Sequence, residues 1–139
     1  MEKLKLPISI DPKRKNRFVV EFPKELGIES WTVQKCNLPE LKDGKWQNIK
    51  ISFIDPIGLV SPVNGLNKIM DMKKSFFSNK PIFNIKIKIL DPTGAIIDNW
   101  LVSIKSVESV NFGYLDYSHD NLVTPSLTVR VKECSLVNS

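Results

Sequence analysis

Residues 83–109 read FNIKIKILDPTGAIIDNWLVSIKSVES, and this stretch decides the fold. Phe83, Ile85, Ile87 and Ile89 alternate with Asn84, Lys86 and Lys88. Successive side chains of an extended chain point to opposite faces. A period of two therefore puts the apolar set on one side and the amide and ammonium groups on the other. Asp91-Pro92-Thr93-Gly94 follows. Proline presets φ for the second turn position, glycine suits the fourth, and an aspartate in first place accepts from its own downstream backbone. A type I turn is expected. The chain then returns through AIIDNWLVSIKSVES, with Trp100, Val102 and Ile104 on one face.

The same signal recurs on either side. In WQNIKISF (46–53), Ile49, Ile51 and Phe53 alternate with Lys50 and Ser52, and Asp55-Pro56 with Gly58 ends the run. In SLTVRVKECSLV (126–137), Leu127, Val129 and Val131 alternate with Thr128, Arg130 and Lys132. RFVVEF (17–22) is a short strand closed by Pro23. IESWTVQKC (28–36) also alternates and is rich in β-branched and aromatic residues, so it reads as a strand, and the six residues from Pro23 to Ile28 predict a hairpin between the two. VNFGYLDYS (110–118) continues the returning strand into the polar His119-Asp120-Asn121. One helical pattern is present, GLNKIMDMKKSFFS (65–78), with Leu66, Ile69, Met70 and Phe77 as its apolar stripe, Asn64 as N-cap and Asn79-Lys80-Pro81 as its stop. About six strands and one short helix predict a mainly β domain, an antiparallel sandwich or barrel with the helix packed on one side. Residues 1–16 read as a polar, basic N-terminal arm and 17–139 as a single domain.

The 139-residue chain is 42% hydrophobic and 25% charged, the balance of an ordinary soluble domain. Its start, MEKLKLPISI, has no apolar core of a signal peptide. No apolar run approaches the ~20 residues that span a bilayer, so no membrane anchor is expected. The net charge of +5 fits either a solvated basic surface or a nucleic-acid-binding β domain. The second reading needs aromatic platforms beside the cations. Trp31, Trp46 and Tyr114 do not line up with the lysines.

Chemistry is absent from the pattern. A single histidine, His119, and two cysteines far apart, Cys36 and Cys134, make no metal set, and the thiols read as reduced and partly buried. There is no GxSxG, no glycine-rich phosphate loop and no Cys–His pair. Asp91, Asp98, Glu108, Asp116 and Asp120 lie close in sequence, but Asp91 belongs to a turn and Asp98 and Glu108 to strand surfaces. No catalytic, cofactor or metal site is expected. Lys50, Lys86, Lys88, Arg130 and Lys132 fall on the outward faces of strands. They make one positive stripe if those strands are neighbours, or serve to discourage edge-to-edge aggregation.

Taken in order, these segments resemble the tail tube protein family of contractile-tailed phages, which is akin to the tube proteins of other contractile injection systems. The resemblance begins at RFVVEF, passes through VQKCNLPEL (33–41) and IKISFIDP (49–56) to the helix, and is most specific in 85–134. There Asp91 and Gly94 make the D-x-x-G turn, Trp100 lies on the returning strand, Val107 to Phe112 form a hydrophobic-polar run, and Leu115-Asp116 precedes the final strand, Leu127 to Val131. It covers residues 17–136. It implies a non-enzymatic subunit of hexameric rings, each copy lending strands to a ring-wide inner barrel. The rings stack into a conduit for DNA inside a sheath, in a virion tail assembled in the host cytoplasm. A baseplate tube initiator of the same fold is the alternative. The expected partners are other copies, sheath and baseplate proteins, with DNA passing without specific binding. Contacts between rings or subunits are expected at Asn37, Leu38, Pro39, Glu40, Leu41, Asp43 and Trp46, and at Asp55, Pro56, Val60 and Asn64. Because phosphate contacts accumulate quickly, the lysines should face outward or be balanced by carboxylates such as Glu108 and Asp116.

Overall fold

The hairpin of residues 83–109 forms as the alternation requires. In the computed structural model, which describes residues 13–56, 61–72, 80–118 and 122–137, strand β6 is Phe83–Leu90 and β7 is Ile96–Asn111. The Gly94 N–H donates to the Asp91 carbonyl at 3.0 Å, and Asp91 Oδ1 accepts from the backbone N–H groups of Thr93 and Ala95. Before the hairpin come β1 (Phe18–Glu21), β2 (Val33–Cys36), β3 (Leu41–Lys42), β4 (Lys45–Trp46), β5 (Ile49–Phe53) and helix α1 (Val63–Met70). After it comes β8 (Ser126–Leu136).

One six-stranded antiparallel sheet in the order β1-β6-β7-β8-β5-β2 makes the body, and β3-β4 is a separate small hairpin. Strand lengths explain its shape. β7 has 16 residues and β8 has 11, whereas β6 has eight and β5 five. β6 pairs with the first part of β7, Ile96 to Ile104, and β5 pairs with the first part of β8, Ser126 to Val129. The long β7–β8 ribbon is thus shared by two four-stranded halves. One half is β1-β6-β7-β8 at the Trp100 end. The other is β7-β8-β5-β2 at the Val110 end. Between them the register slips near Lys105, Glu108 and Lys132. Such bulges bend and twist a strand, which lets a ribbon pass from one packed sheet to the next. The sheet curls into a nearly closed barrel that brings β1 near β2.

The apolar faces meet inside. Val20, Ile49, Ile51, Phe53, Ile85, Ile87, Val102, Ile104, Leu127 and Val129 are all buried, and α1 adds Leu66 and Ile69. Each such side chain contributes about 1.5–3 kcal/mol of transfer free energy. Gly65 lets the helix approach closely: a Cβ there meets Ile28 Cγ1 at 2.3 Å and the Leu26 carbonyl at 2.6 Å.

Several local readings are corrected. The chain from Ile28 does not run extended. Thr32 donates to the Glu29 carbonyl through both its N–H and its Oγ1, so Ser30–Thr32 turns as a 3₁₀ segment and only Val33–Cys36 is strand. No β1–β2 hairpin forms; β1 pairs with β6 and the two strands lie at opposite ends of the sheet order, because the long partner buries Val20 against Ile87. The helix begins at Val63 behind Pro62, so Asn64 lies within it rather than capping it. It ends at Met70, whose side chain is exposed. The predicted continuation through Phe77 lies outside the described residues, as do residues 1–12 of the arm, Val60, His119 and Asp120. Strand β7 stops at Asn111, and Phe112–Ser118 is irregular.

Candidate assembly surfaces

The residues expected to make contacts fall in three places. Asn37 to Trp46 carries β3 and β4, joined by an Asp43-Gly44 turn in which both residues have positive φ (53° and 73°), as a two-residue hairpin turn requires. Leu38 and Leu41 are exposed, and Asn37, Glu40 and Asp43 are solvated. Trp46 and Pro39 are half-buried, and Trp46 packs on the core, so its indole serves the fold as well. Asp55 and Pro56 are half-buried, and Asp55 accepts from Ser61 Oγ. Asn64 is exposed on α1, away from the 37–46 hairpin in sequence and element.

The cations do not form one stripe. Lys86 and Lys88 lie on β6, Arg130 and Lys132 on β8 and Lys50 on β5, and β7 stands between β6 and β8. In register with them β7 presents Leu101 and Asn99. Lys50, Lys86, Arg130 and Lys132 are exposed. Lys88 Nζ meets Glu21 Oε1 at 2.6 Å, and Glu21 is also directly opposite Lys86 across β1–β6. The balancing carboxylate is thus Glu21. Glu108 accepts from Asn48 Nδ2 at 2.6 Å instead. Arg130 donates to Ser106 Oγ, and Lys13 pairs with Asp98.

Two open strand edges stand out. β1 has β6 on one side and no ladder on the other among the described residues. Among the described residues β8 loses its β5 ladder after Val129, where the preceding chain diverges into the β3–β4 hairpin, so Arg130 to Leu136 forms a ladder with β7 alone while β4 packs beside β8. The free edge of β1 lines a groove of about 790 Å³ shared with Trp31, Val33 and Gln34. The tip of the β7–β8 ribbon exposes Ile96, Ile97, Leu136 and Val137, and the loop after β7 exposes Tyr114, Leu115 and Tyr117. The sequence reading missed the ribbon tip. Its only signal was that the apolar runs around 96 and 136 outlast the strands available to cover them.

Burial without a charge partner raises both thiols, Cys36 to about 12 and Cys134 to about 11, the latter also through Glu133. Neither is a poised nucleophile. Among the described residues no group of three or more His, Cys, Asp or Glu side chains could hold a metal. No helix among them is long and apolar enough to cross a membrane.

No family model matches the sequence, and no curated protein matches it. Solved structures do. The tube-terminating cap of the anti-feeding prophage superimposes with a TM-score of 0.67 at 15% identity, covering 99% of this chain and 97% of that one. The fold is that of contractile injection system tubes and their terminators. A chain of the PVC sheath–tube complex in its extended state gives 0.63 at 14% identity, over 92% and 93%. A chain of the anti-feeding prophage baseplate gives 0.58 at 12%, over 93% and 97%. The match in each case runs over more than nine-tenths of both chains, so the shared unit is the domain and not a fragment of it.

Proposed function

We propose that this chain is a structural subunit of a contractile tail, forming hexameric rings that stack into the inner tube. The near full-length correspondence with tube and cap subunits carries this reading. The physical chemistry agrees with it: a sheet left with open edges is a template for pairing with another chain, and ring closure removes the edge. The tube passes DNA, or another cargo, inside a sheath, and is anchored on a baseplate. The particle is a phage tail or tail-like injection machine, assembled in the host cytoplasm. The conduit needs a wall that does not hold polyanions, and on the solvent face of the β1-β6-β7-β8 half Glu21 pairs with Lys88 and stands opposite Lys86. The 37–46 hairpin and the 55–64 connection, Val60 included, are the contacts between rings. A second reading, a terminating cap of the same fold, is favoured by the 0.67 TM-score with the prophage cap.

Negative-stain microscopy of the purified protein at high concentration tests the proposal. Rings or stacked tubes on the order of a hundred ångströms wide are expected from several 15.8 kDa domains around a bore. A protein that stays monomeric, alone and with sheath or baseplate partners, refutes it. Single rings that seed or end a tube without elongating it select the cap or initiator.

A further inference from the structure

The fold brings together a cationic run and an aromatic ring that lie apart in the sequence. Lys13-Arg14-Lys15-Asn16-Arg17 holds four cations in five residues and no carboxylate. The Arg17 N–H donates to the Arg14 carbonyl at 3.3 Å, which makes a turn with Lys15 and Asn16 at its tip. The run is thereby folded back beside β1 instead of trailing away from it. Trp31 arrives from the other side. Thr32 is buried and bonds back to the Glu29 carbonyl, so the tight turn of Ser30–Thr32 points the neighbouring indole outward, where it is 58% exposed.

Lys15, Asn16, Trp31 and Gln34 line the groove of about 790 Å³ between β1 and residues 29–34. Among the described residues no hydrogen bond or ion pair engages the side chains of Lys15, Asn16 or Gln34, or the Trp31 indole N–H. An exposed indole face with a cation and two amides beside it suits a single strand of nucleic acid. Every base has a π face to stack on the ring, the ammonium takes a phosphate, and the amides reach base edges that a duplex would hide. Glu29 is the one carboxylate among the described residues that line the groove, so the local charge, with the 13–17 run beside it, favours a polyanion. The lysines on the strand faces have no such ring beside them. Neither Glu21 nor Lys88 lines the groove, which is therefore distinct from the ion-paired sheet face.

We propose that this groove binds a segment of single-stranded nucleic acid, with one base stacked on Trp31 and the adjoining phosphates on Lys15 and the cationic turn. The site is complete within one chain and does not rest on the ring reading above.

Intrinsic fluorescence of the full chain, titrated with an oligothymidylate about a dozen nucleotides long, tests it. Saturable quenching is expected, with an affinity that falls with salt at a log–log slope of about −0.7 per phosphate contacted. Trp31→Ala should abolish the quenching and leave Trp46 and Trp100 as silent reporters. Measured by anisotropy of a labelled oligothymidylate, the same variant should bind about 5- to 100-fold more weakly, the loss of one stacked base. Trp31→Phe should recover most of that affinity. Lys15→Ala should make the salt slope shallower by about 0.7. Glu29→Gln should tighten binding. Each of these side chains lies at the surface of the groove, so the thermal midpoints should match that of the wild type. An affinity unchanged in Trp31→Ala overturns the proposal. Equal affinity for a duplex of the same length places the contact on phosphates alone and overturns it. Quenching by a neutral oligosaccharide and not by the oligonucleotide makes the indole a sugar platform and overturns it, as does the absence of binding at low salt.

Discussion

Strand β5 and the end of β8 carry the same alternation with opposite outcomes. Ile49, Ile51 and Phe53 are at most 1% exposed, whereas Leu136 is 49% exposed. β5 has β8 on one side, β2 on the other and the opposing half above it. Leu136 has β7 on one side and, among the described residues, no strand paired on the other. Periodicity chooses the face of a strand, and burial depends on what is laid against that face. An apolar residue left open at a sheet end is a request for another surface.

The largest test of the contrast is truncation at both ends. Phe53→Ala should destabilise the isolated subunit by about 3–5 kcal/mol in urea unfolding, through lost transfer energy and a cavity. Leu136→Ala should stay within ~0.5 kcal/mol. Equal losses would mean that the ribbon tip is already covered in the free subunit. Next, Gly65→Ala should cost about 1–3 kcal/mol by the same measurement, because the new methyl meets the fixed Leu26 carbonyl and overpacking outweighs the gain in helix propensity. A neutral result would show that α1 slides freely over Leu26 and Ile28. Glu21→Gln should cost less than about 1 kcal/mol, since Glu21 is 41% exposed in its pair with Lys88 and solvent screens the interaction. A larger loss would make this pair a structural element of the β1 edge.

The smallest effect lies at the 91–94 turn. Hydrogen bonds from the Thr93 hydroxyl and the Ala95 backbone hold the Asp91 carboxyl below the usual range. A lowered folded value stabilises the ionised form, so the contribution is present above the ordinary carboxylate value of about 3.9 and is lost as pH falls through the lowered one. Asp91→Asn should therefore be less stable than wild type near neutrality, with the gap narrowing in acid. A gap independent of pH would assign the effect to turn geometry alone.

Local chemistry made the central elements legible. Alternation at 83–90, 49–53 and 127–131 named the buried residues, and Asp91-Pro92-Thr93-Gly94 carried its turn in its own residue types. The helix was legible through Leu66 and Ile69, although its start was set by Pro62 rather than by Asn64. The strand expected from Ile28 failed because Thr32 donates from both its backbone N–H and its hydroxyl to the carbonyl three residues back, which turns the chain.

What the sequence by itself determined is which side chains face inward and where the chain reverses, because both depend on neighbours within a few residues. Strand order, the partner of β1, the separation of the lysines by β7, and the two open edges were decided only in the tertiary structure. Those features depend on differences in length between strands far apart in the chain. A 16-residue β7 beside an eight-residue β6 and an 11-residue β8 beside a five-residue β5 must leave backbone unpaired.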